Sequence, residues 1–311
     1  MTEAAEPKTT RNRRWLWLAV ALFAVAGCAA GGWYWWQRGL AGAADGSLAV
    51  YVVDVGQGDA FIIQTPGGKT YVVDAGSDAE ATLIPELRAL KVARLAAVMV
   101  SHPHQDHIGG VPDLLKSYPV GTLYDCGYRH TSRSYRETLK LVKEKRINYV
   151  TPRAGDRYDW DGAAVEILHP DRADYDNLND NSIVFRLTYG SSTMLFTGDA
   201  EGKAREAILR RFRNRVAADI LKLAHHGSTN GTTADWLQLV APRQAIICCG
   251  VGNHFGHPHP PVVQMLKQNS VTALRTDLQG TIKLVSDGER WTVTPLGKSD
   301  ARLPDDADAE Q

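Results

Sequence analysis

The stretch Val98-Met-Val-Ser-His-Pro-His-Gln-Asp-His-Ile-Gly-Gly110 decides how this chain folds. An apolar run, Leu95 to Val100, leads into it, and Gly109-Gly110 closes it. A short apolar run bounded by turn formers reads as a buried strand ending in a loop. That loop carries His102, His104, Asp106 and His107. Side chains two apart on an extended loop can converge on one ion. Those at the fourth and fifth positions then turn away and can serve a second ion nearby. Imidazole together with carboxylate suits zinc, iron or manganese. A histidine-rich surface loop is the competing reading, and so many ligand-type residues directly after a buried strand weigh against it.

Further along, two more apolar runs end in the same chemistry. Phe196-Thr-Gly-Asp199 is a strand end followed by a carboxylate, and Leu221-Lys-Leu-Ala-His-His-Gly-Ser228 is a strand running into two histidines. Alone, Asp199 could cap the helix expected from Ala204, and His225-His226 could be turn residues. Taken with the first loop, three strand ends each deliver ligands, which implies a binuclear site across the top of a sandwich. Lys222 lies inside the apolar run Ile220 to Ala224, a costly place unless its ammonium group reaches a polar site. It is therefore expected to face the site.

The elements around these runs alternate. Strands are expected at Leu48–Val55, Ala60–Gln64, Thr70–Asp74, Val120–Asp125, Ala164–Leu168, Ser182–Leu187, Thr193–Thr197 and Ala245–Cys249, with three more between Ser270 and Thr294. Helices are expected at Ala79–Leu90, Val111–Ser117, Tyr135–Lys145, Ala204–Phe212, Asp235–Val240 and Val262–Gln268. Strand clusters alternating with helices in two similar halves predict an α+β fold, an αββα sandwich with two packed sheets inside and helices outside.

These signatures, His102-Pro-His-Gln-Asp-His107, Gly198-Asp199 and His225-His-Gly-Ser228, resemble the metallo-β-lactamase superfamily. Others resemble, more closely, the metallo-β-lactamase-like domain of the ComEC competence-channel family. They are Asp54-Val-Gly-Gln-Gly-Asp59, Val73-Asp-Ala-Gly76, Asn181-Ser182, Leu221-Lys222, Asn253 to Pro258 and Arg275-Thr-Asp-Leu-Gln-Gly-Thr-Ile282. The similarity runs over roughly residues 48–295. The chain departs from that family in lacking its polytopic channel region, so it looks like a stand-alone relative. The resemblance implies two divalent ions, zinc or manganese. His102 and His104 would hold the first. Asp106, His107 and His225 would hold the second, with Asp199 bridging. His226 is the reserve for His225. Asp74 would orient a ligand histidine. Many superfamily members carry another histidine before the bridging aspartate. Here the region reads Leu178-Asn-Asp-Asn-Ser182, where Asn181 or Asp180 would have to stand in. His257 falls where related phosphodiesterases keep a histidine near the scissile group. Asp106, Lys222 and His257 are thus the expected catalytic residues, the last two stabilising developing charge or protonating a leaving group.

Lys and Arg balance Asp and Glu at 35 each, so net charge gives no push toward nucleic acid or membrane. The distribution is uneven: basic residues crowd the segments 129–146 and 205–215. Residues 1–14 form a basic N-terminus. Trp15 to Trp36 contains no charge and is long enough to span a bilayer. Arg11, Arg13 and Arg14 favour a cytoplasmic N-terminus, which places the rest outside the cytoplasm. The expected location is the cytoplasmic (inner) membrane, single-pass. A lipoprotein anchored at Cys28, within Val25-Ala-Gly-Cys28, is the alternative. Residues 37–47 read as a linker, 48–298 as the hydrolase domain and 299–311 as an acidic tail. Cys126, Cys248 and Cys249 form no disulfide framework and read as buried small hydrophobes, with a Cys126 bridge left open.

The functional expectation is a membrane-tethered phosphodiesterase or nuclease acting on DNA or another phosphodiester through a metal-activated hydroxide, with no obligate protein partner evident. A hydrolase of another ester, lactone or β-lactam on the same site is the alternative. A nucleic-acid or envelope binding module with a vestigial metal site is the third reading.

Overall fold

The computed structural model describes residues 46–297. The expected membrane span, the lipidation candidate Cys28, the acidic tail and nearly all of the linker lie outside them. Among the described residues, no helix is long and apolar enough to cross a membrane.

The first half supplies β1 (Leu48–Val52), β2 (Ala60–Gln64), β3 (Thr70–Ala75), β4 (Leu95–Val100), β5 (Val120–Asp125) and β6 (Asn148–Val150). The second supplies β7 (Arg157–Trp160), β8 (Ala163–His169), β9 (Val184–Tyr189), β10 (Ser192–Phe196), β11 (Ile220–Lys222), β12 (Gln244–Ile247) and β13 (Thr272–Arg275). β14 (Thr281–Ser286) and β15 (Trp291–Gly297) then return to the first sheet, which has the order β15-β14-β1-β2-β3-β4-β5-β6. The second sheet runs β13-β12-β11-β10-β9-β8-β7.

The strands read as unbroken apolar runs because both faces of each sheet are covered. In β1, Leu48, Val50 and Val52 point into the core between the sheets, where they meet Phe185, Met194 and Phe196 of the second sheet. Ala49 and Tyr51 of the same strand point the other way, into a core shared with Leu83, Leu87 and Leu114 of the outer helices. The outer face of the second sheet does the same with Ala204, Ile208, Trp236 and Leu266. The expected αββα layering is observed, and Cys126, Cys248 and Cys249 are free thiols buried in these cores.

Within each sheet a parallel block sets the site. β3, β4, β5 and β6 run parallel, as do β10, β11, β12 and β13. Loops beyond the carboxyl ends of parallel strands are where open α/β sheets bind ligands. β6 and β7 escape the pattern reading. Each is the last strand of its sheet, and β6 is mostly exposed.

Candidate metal centre

Five strand ends converge on one cluster. β3 carries Asp74 one residue before its end, held at φ +56. β4 runs into Ser101 and His102, and a single helical turn, Gln105–Ile108, presents Asp106 and His107. β10 leads to Asp199, and β11 to His225 and His226. The tight turn before β2 delivers Asp59, whose amide donates to the Asp106 carbonyl at 3.1 Å. Gly58 is required in that turn. It sits at φ +133, and a Cβ there would stand 2.2 Å from the same carbonyl.

Asp199 is the centre of the cluster. Its Oδ2 lies 3.3 Å from His107 Nε2, 3.3 Å from His226 Nε2 and 3.9 Å from His102 Nε2. His226 Nε2 is also 3.1 Å from Asp106 Oδ2. On the other side, His102 Nε2 faces His104 Nδ1 at 2.9 Å. The far nitrogens are spoken for. Asp74 Oδ2 lies 2.9 Å from His107 Nδ1, and the Cys248 carbonyl lies 2.8 Å from His226 Nδ1. Such partners fix ring orientation and leave Nε2 pointing inward. Ser182 Oγ receives the Asp199 amide at 3.1 Å, which fixes the loop carrying the aspartate.

The electrostatics follow from crowding. Burial, and then the neighbouring His107, hold His102 well below the ordinary histidine range, so its ring is uncharged. Burial acts on His107 in the same direction, but Asp199, Asp106 and Asp74 outweigh it and hold that ring well above. Burial would raise Asp199, yet His226, His107 and Lys222 hold it well below the usual carboxylate range.

This donor set fits a divalent cation. Ligand atoms of Asp106, His107, Asp199 and His226 all lie within 4.8 Å of one another. His107 Nε2 is buried and makes no well-formed hydrogen bond, so a cation could take the place of its proton beside Asp199. Imidazole and carboxylate donors with ordered outer partners are what zinc and manganese take.

The family profile described as "Metallo-beta-lactamase superfamily" matches residues 53–251. The chain is a member of the metallo-β-lactamase superfamily. Within it, the chain is similar to ComE operon protein 3 of Bacillus subtilis, 31% identical over 75% of this chain and 32% of that protein. It is similar also to competence protein ComA of Neisseria gonorrhoeae, 29% identical over 77% of this chain and 32% of the relative. The chain thus spans about a third of the length of these curated relatives. Among solved structures it superposes on Igni18, a metallo hydrolase of the archaeon Ignicoccus hospitalis, with a TM-score of 0.52. That match covers 76% of this chain and 98% of the other, at 14% identity, so it speaks to the fold alone.

Against this superfamily frame the expected residues divide. His102, His104, Asp106, His107 and Asp199 are brought together, and Asp74 takes the orienting position. His225 does not join them. Three successive residues, His225, His226 and Gly227, take left-handed backbone at φ +50, +53 and +82. That turn swings His225 outward to Glu201 Oε1 at 2.7 Å and aims the reserve residue His226 inward. Consecutive left-handed non-glycine residues are strained, and such strain gathers at functional sites.

Lys222 does face the cluster, but from behind. Its Nζ is fully buried, 2.5 Å from Asp59 Oδ2, 2.8 Å from the Gly198 carbonyl and 3.5 Å from Asp199 Oδ1. Enclosed in this way, it cannot reach a leaving group, so the expected catalytic contact gives way to a structural one. Asn181 does not replace the missing histidine, because its amide is spent on its own loop. Nδ2 donates to the carbonyls of Tyr175 and Asn177, and Oδ1 accepts from the Tyr175 amide. Asp180 Oδ1 is likewise committed, receiving the amides of Glu201 and Ala204. His257 stands at the rim, its ring centroid 6.0 Å from that of His226. Burial first, then the neighbouring His226 and His225, push it down to about 4. It is therefore uncharged at neutral pH and holds no extra proton to deliver.

Asp59 and Ser101 were not expected here. Asp59 is fully buried and ties Lys222 to the cluster, with its Oδ1 3.4 Å from His226 Nδ1. Ser101 uses both backbone amide and hydroxyl to grip Asp74, each at 2.7 Å. A carboxylate ending the glycine-rich turn Gly56-Gln-Gly-Asp59 was the available signal for Asp59. Asp74 therefore locks β3, β4 and His107 together. Asp74→Asn is expected to lower metal affinity about 10- to 100-fold, measured by chelator competition, with little change in helix and strand content by circular dichroism.

Proposed function

We propose that the chain is a membrane-tethered, extracytoplasmic, metal-dependent hydrolase that cleaves phosphodiester bonds of DNA. The observation that carries this reading is the position of Asp199, set between the His102–His104 pair and the Asp106, His107 and His226 group. One ion would be held on each side, zinc or manganese by the chemistry of the donors. Two divalent ions so placed supply Lewis acidity and an acidified water, and in phosphoryl transfer they steady both attacking and leaving oxygens.

The protein's own part is to orient and to exclude. Asp74 and the Cys248 carbonyl fix the two imidazoles. Asp59 and Lys222 set Asp199 from below. Asp106 and His104 form the open face of the cluster, since both are only partly buried while His102, His107 and His226 are enclosed. His257 stands neutral at the rim, within ring contact of His226. DNA as substrate draws support from the similarity to competence proteins and from the basic residues of segment 129–146. Tethering draws support from the uncharged run 15–36.

The test uses the full-length chain in detergent, stripped and reloaded with Mn²⁺ or Zn²⁺. Metal-dependent cleavage of single-stranded DNA is expected, and Asp199→Ala should remove it. A parallel panel of ester, lactone and β-lactam substrates decides the specificity. Turnover there with none on DNA would overturn the nuclease assignment and keep the hydrolase.

A further inference from the structure

Beside the metal loop lies a cleft of about 530 Å³ that the reaction described above does not use. Tyr135, Leu139, Tyr149 and His130 wall it, and Arg129 and Arg136 stand at its rim. Its position follows from strand register. Asp125 ends β5 opposite Val100, and the next residues of β4's chain are Ser101 and His102. The helix Arg133–Lys145 is tied to the same loop, because Ser134 Oγ donates to Gln105 Oε1 at 2.9 Å, between His104 and Asp106. The cleft therefore lies along the helix that is tied to the metal loop.

Two features of its walls point to one kind of occupant. Tyr149 is 38% exposed, although its hydroxyl donates to the buried Asp125 at 2.5 Å. The other Asp125 oxygen accepts the Gly127 amide at 3.1 Å, so the carboxylate cannot swing. The phenol ring is thus held rigid at the surface, a platform with its orientation settled in advance. In the same lining, Arg129 and Arg136 are exposed and, among the described residues, form no ion pair. Lys140, further along the same helix, is by contrast paired with Glu144. A fixed aromatic face among unpaired guanidinium groups holds single-stranded nucleic acid, stacking a base and pairing phosphates. A duplex offers no unstacked base to such a face.

We propose that this cleft is a subsite for single-stranded nucleic acid, with one base stacked on Tyr149 and the flanking phosphates paired with Arg129 and Arg136. The proposal rests on the nuclease reading above and gives it a side of approach: the substrate enters along the 129–136 side. The ring supplies stacking, and the two arginines supply charge, so the two contributions are separable.

Fluorescence anisotropy with a labelled oligothymidylate, on the metal-stripped full-length chain, measures binding apart from cleavage. Tyr149→Ala is expected to weaken binding about 5- to 100-fold. Tyr149→Phe, which keeps the ring, should retain most of the affinity. Arg129→Gln with Arg136→Gln should lower the slope of log affinity against log salt by about 1.4. Affinity and slope unchanged in Tyr149→Ala and in the double arginine variant, with thermal melting intact, overturn the subsite. Hydrolysis of bis(p-nitrophenyl) phosphate by the wild type reports the metal centre separately. Its absence would sink the nuclease reading, while a strand that still binds through Tyr149 would leave the subsite standing.

Discussion

His226→Ala is expected to cost the protein at least about a hundredfold in divalent-metal affinity, more than loss of an outer-shell partner does. His225→Ala should cost less than about tenfold by the same measure. The two residues are neighbours in sequence, and the contrast between them comes wholly from the left-handed turn at 225–227. His226 Nε2 stands 3.1 Å from Asp106 and 3.3 Å from Asp199, with its other nitrogen held by a backbone carbonyl. His225 is partly exposed and pairs with Glu201, outside the cluster. Calorimetric titration of both variants with zinc decides the matter. Equal losses, or a greater loss in His225→Ala, would mean that the turn reverses when metal binds, and the donor set assigned here would fall.

Lys222→Met should destabilise the fold by about 3–5 kcal/mol, the cost of leaving one buried charge without its partner. The charge stranded is Asp59, which lies 2.5 Å from Nζ with no exposure to water. Adding Asp59→Asn should recover much of that loss, because the double variant buries no unpaired charge. Urea unfolding of the two single variants and the double variant gives the coupling energy. A lysine acting on a leaving group would instead lower turnover and leave unfolding unchanged, and that result would restore the catalytic role. The pH dependence has a definite sign. Asp59 is held below its usual range, its burial outweighed by Lys222 and His107, so its contribution is full above about pH 4 and fades as acid protonates it. Lys222 is held above its usual range, burial being outweighed by Asp59 and Asp199. Its contribution is full below the ordinary lysine range and fades only in stronger alkali. Across neutral pH the pair is constant.

The first ligand loop was legible because its signal is local: an apolar strand, then donors, then two glycines. The two-sheet layering was legible for a related reason, since strands covered on both faces read as unbroken apolar runs. What escaped was set by distant partners. Whether Lys222 faces substrate or a buried aspartate depends on Asp59, which arrives from the opposite sheet. The choice between His225 and His226 depends on how the chain leaves β11. Strand alternation stops at Lys222, and beyond it Gly227 packs so closely on Pro258 that a Cβ would stand 2.6 Å away. Asn181 looked free to ligate because its partners, the carbonyls of a short irregular loop, leave no periodic trace. β6 and β7 were missed as sheet-edge strands, short and polar, where neither burial nor alternation is imposed.

The inward donors come from both sheets, and this bears on how the protein is made. As the chain leaves the ribosome, His102, His104, Asp106 and His107 emerge long before Asp199 and His226. Until the second sheet docks, Asp59 has no ammonium partner and the early histidines have no central carboxylate. An ion held by all of these residues would therefore be captured only after both sheets have formed. A nascent chain arrested before β10 would carry only the donors of the first sheet, while the finished domain carries a set that closes only when its two halves have met.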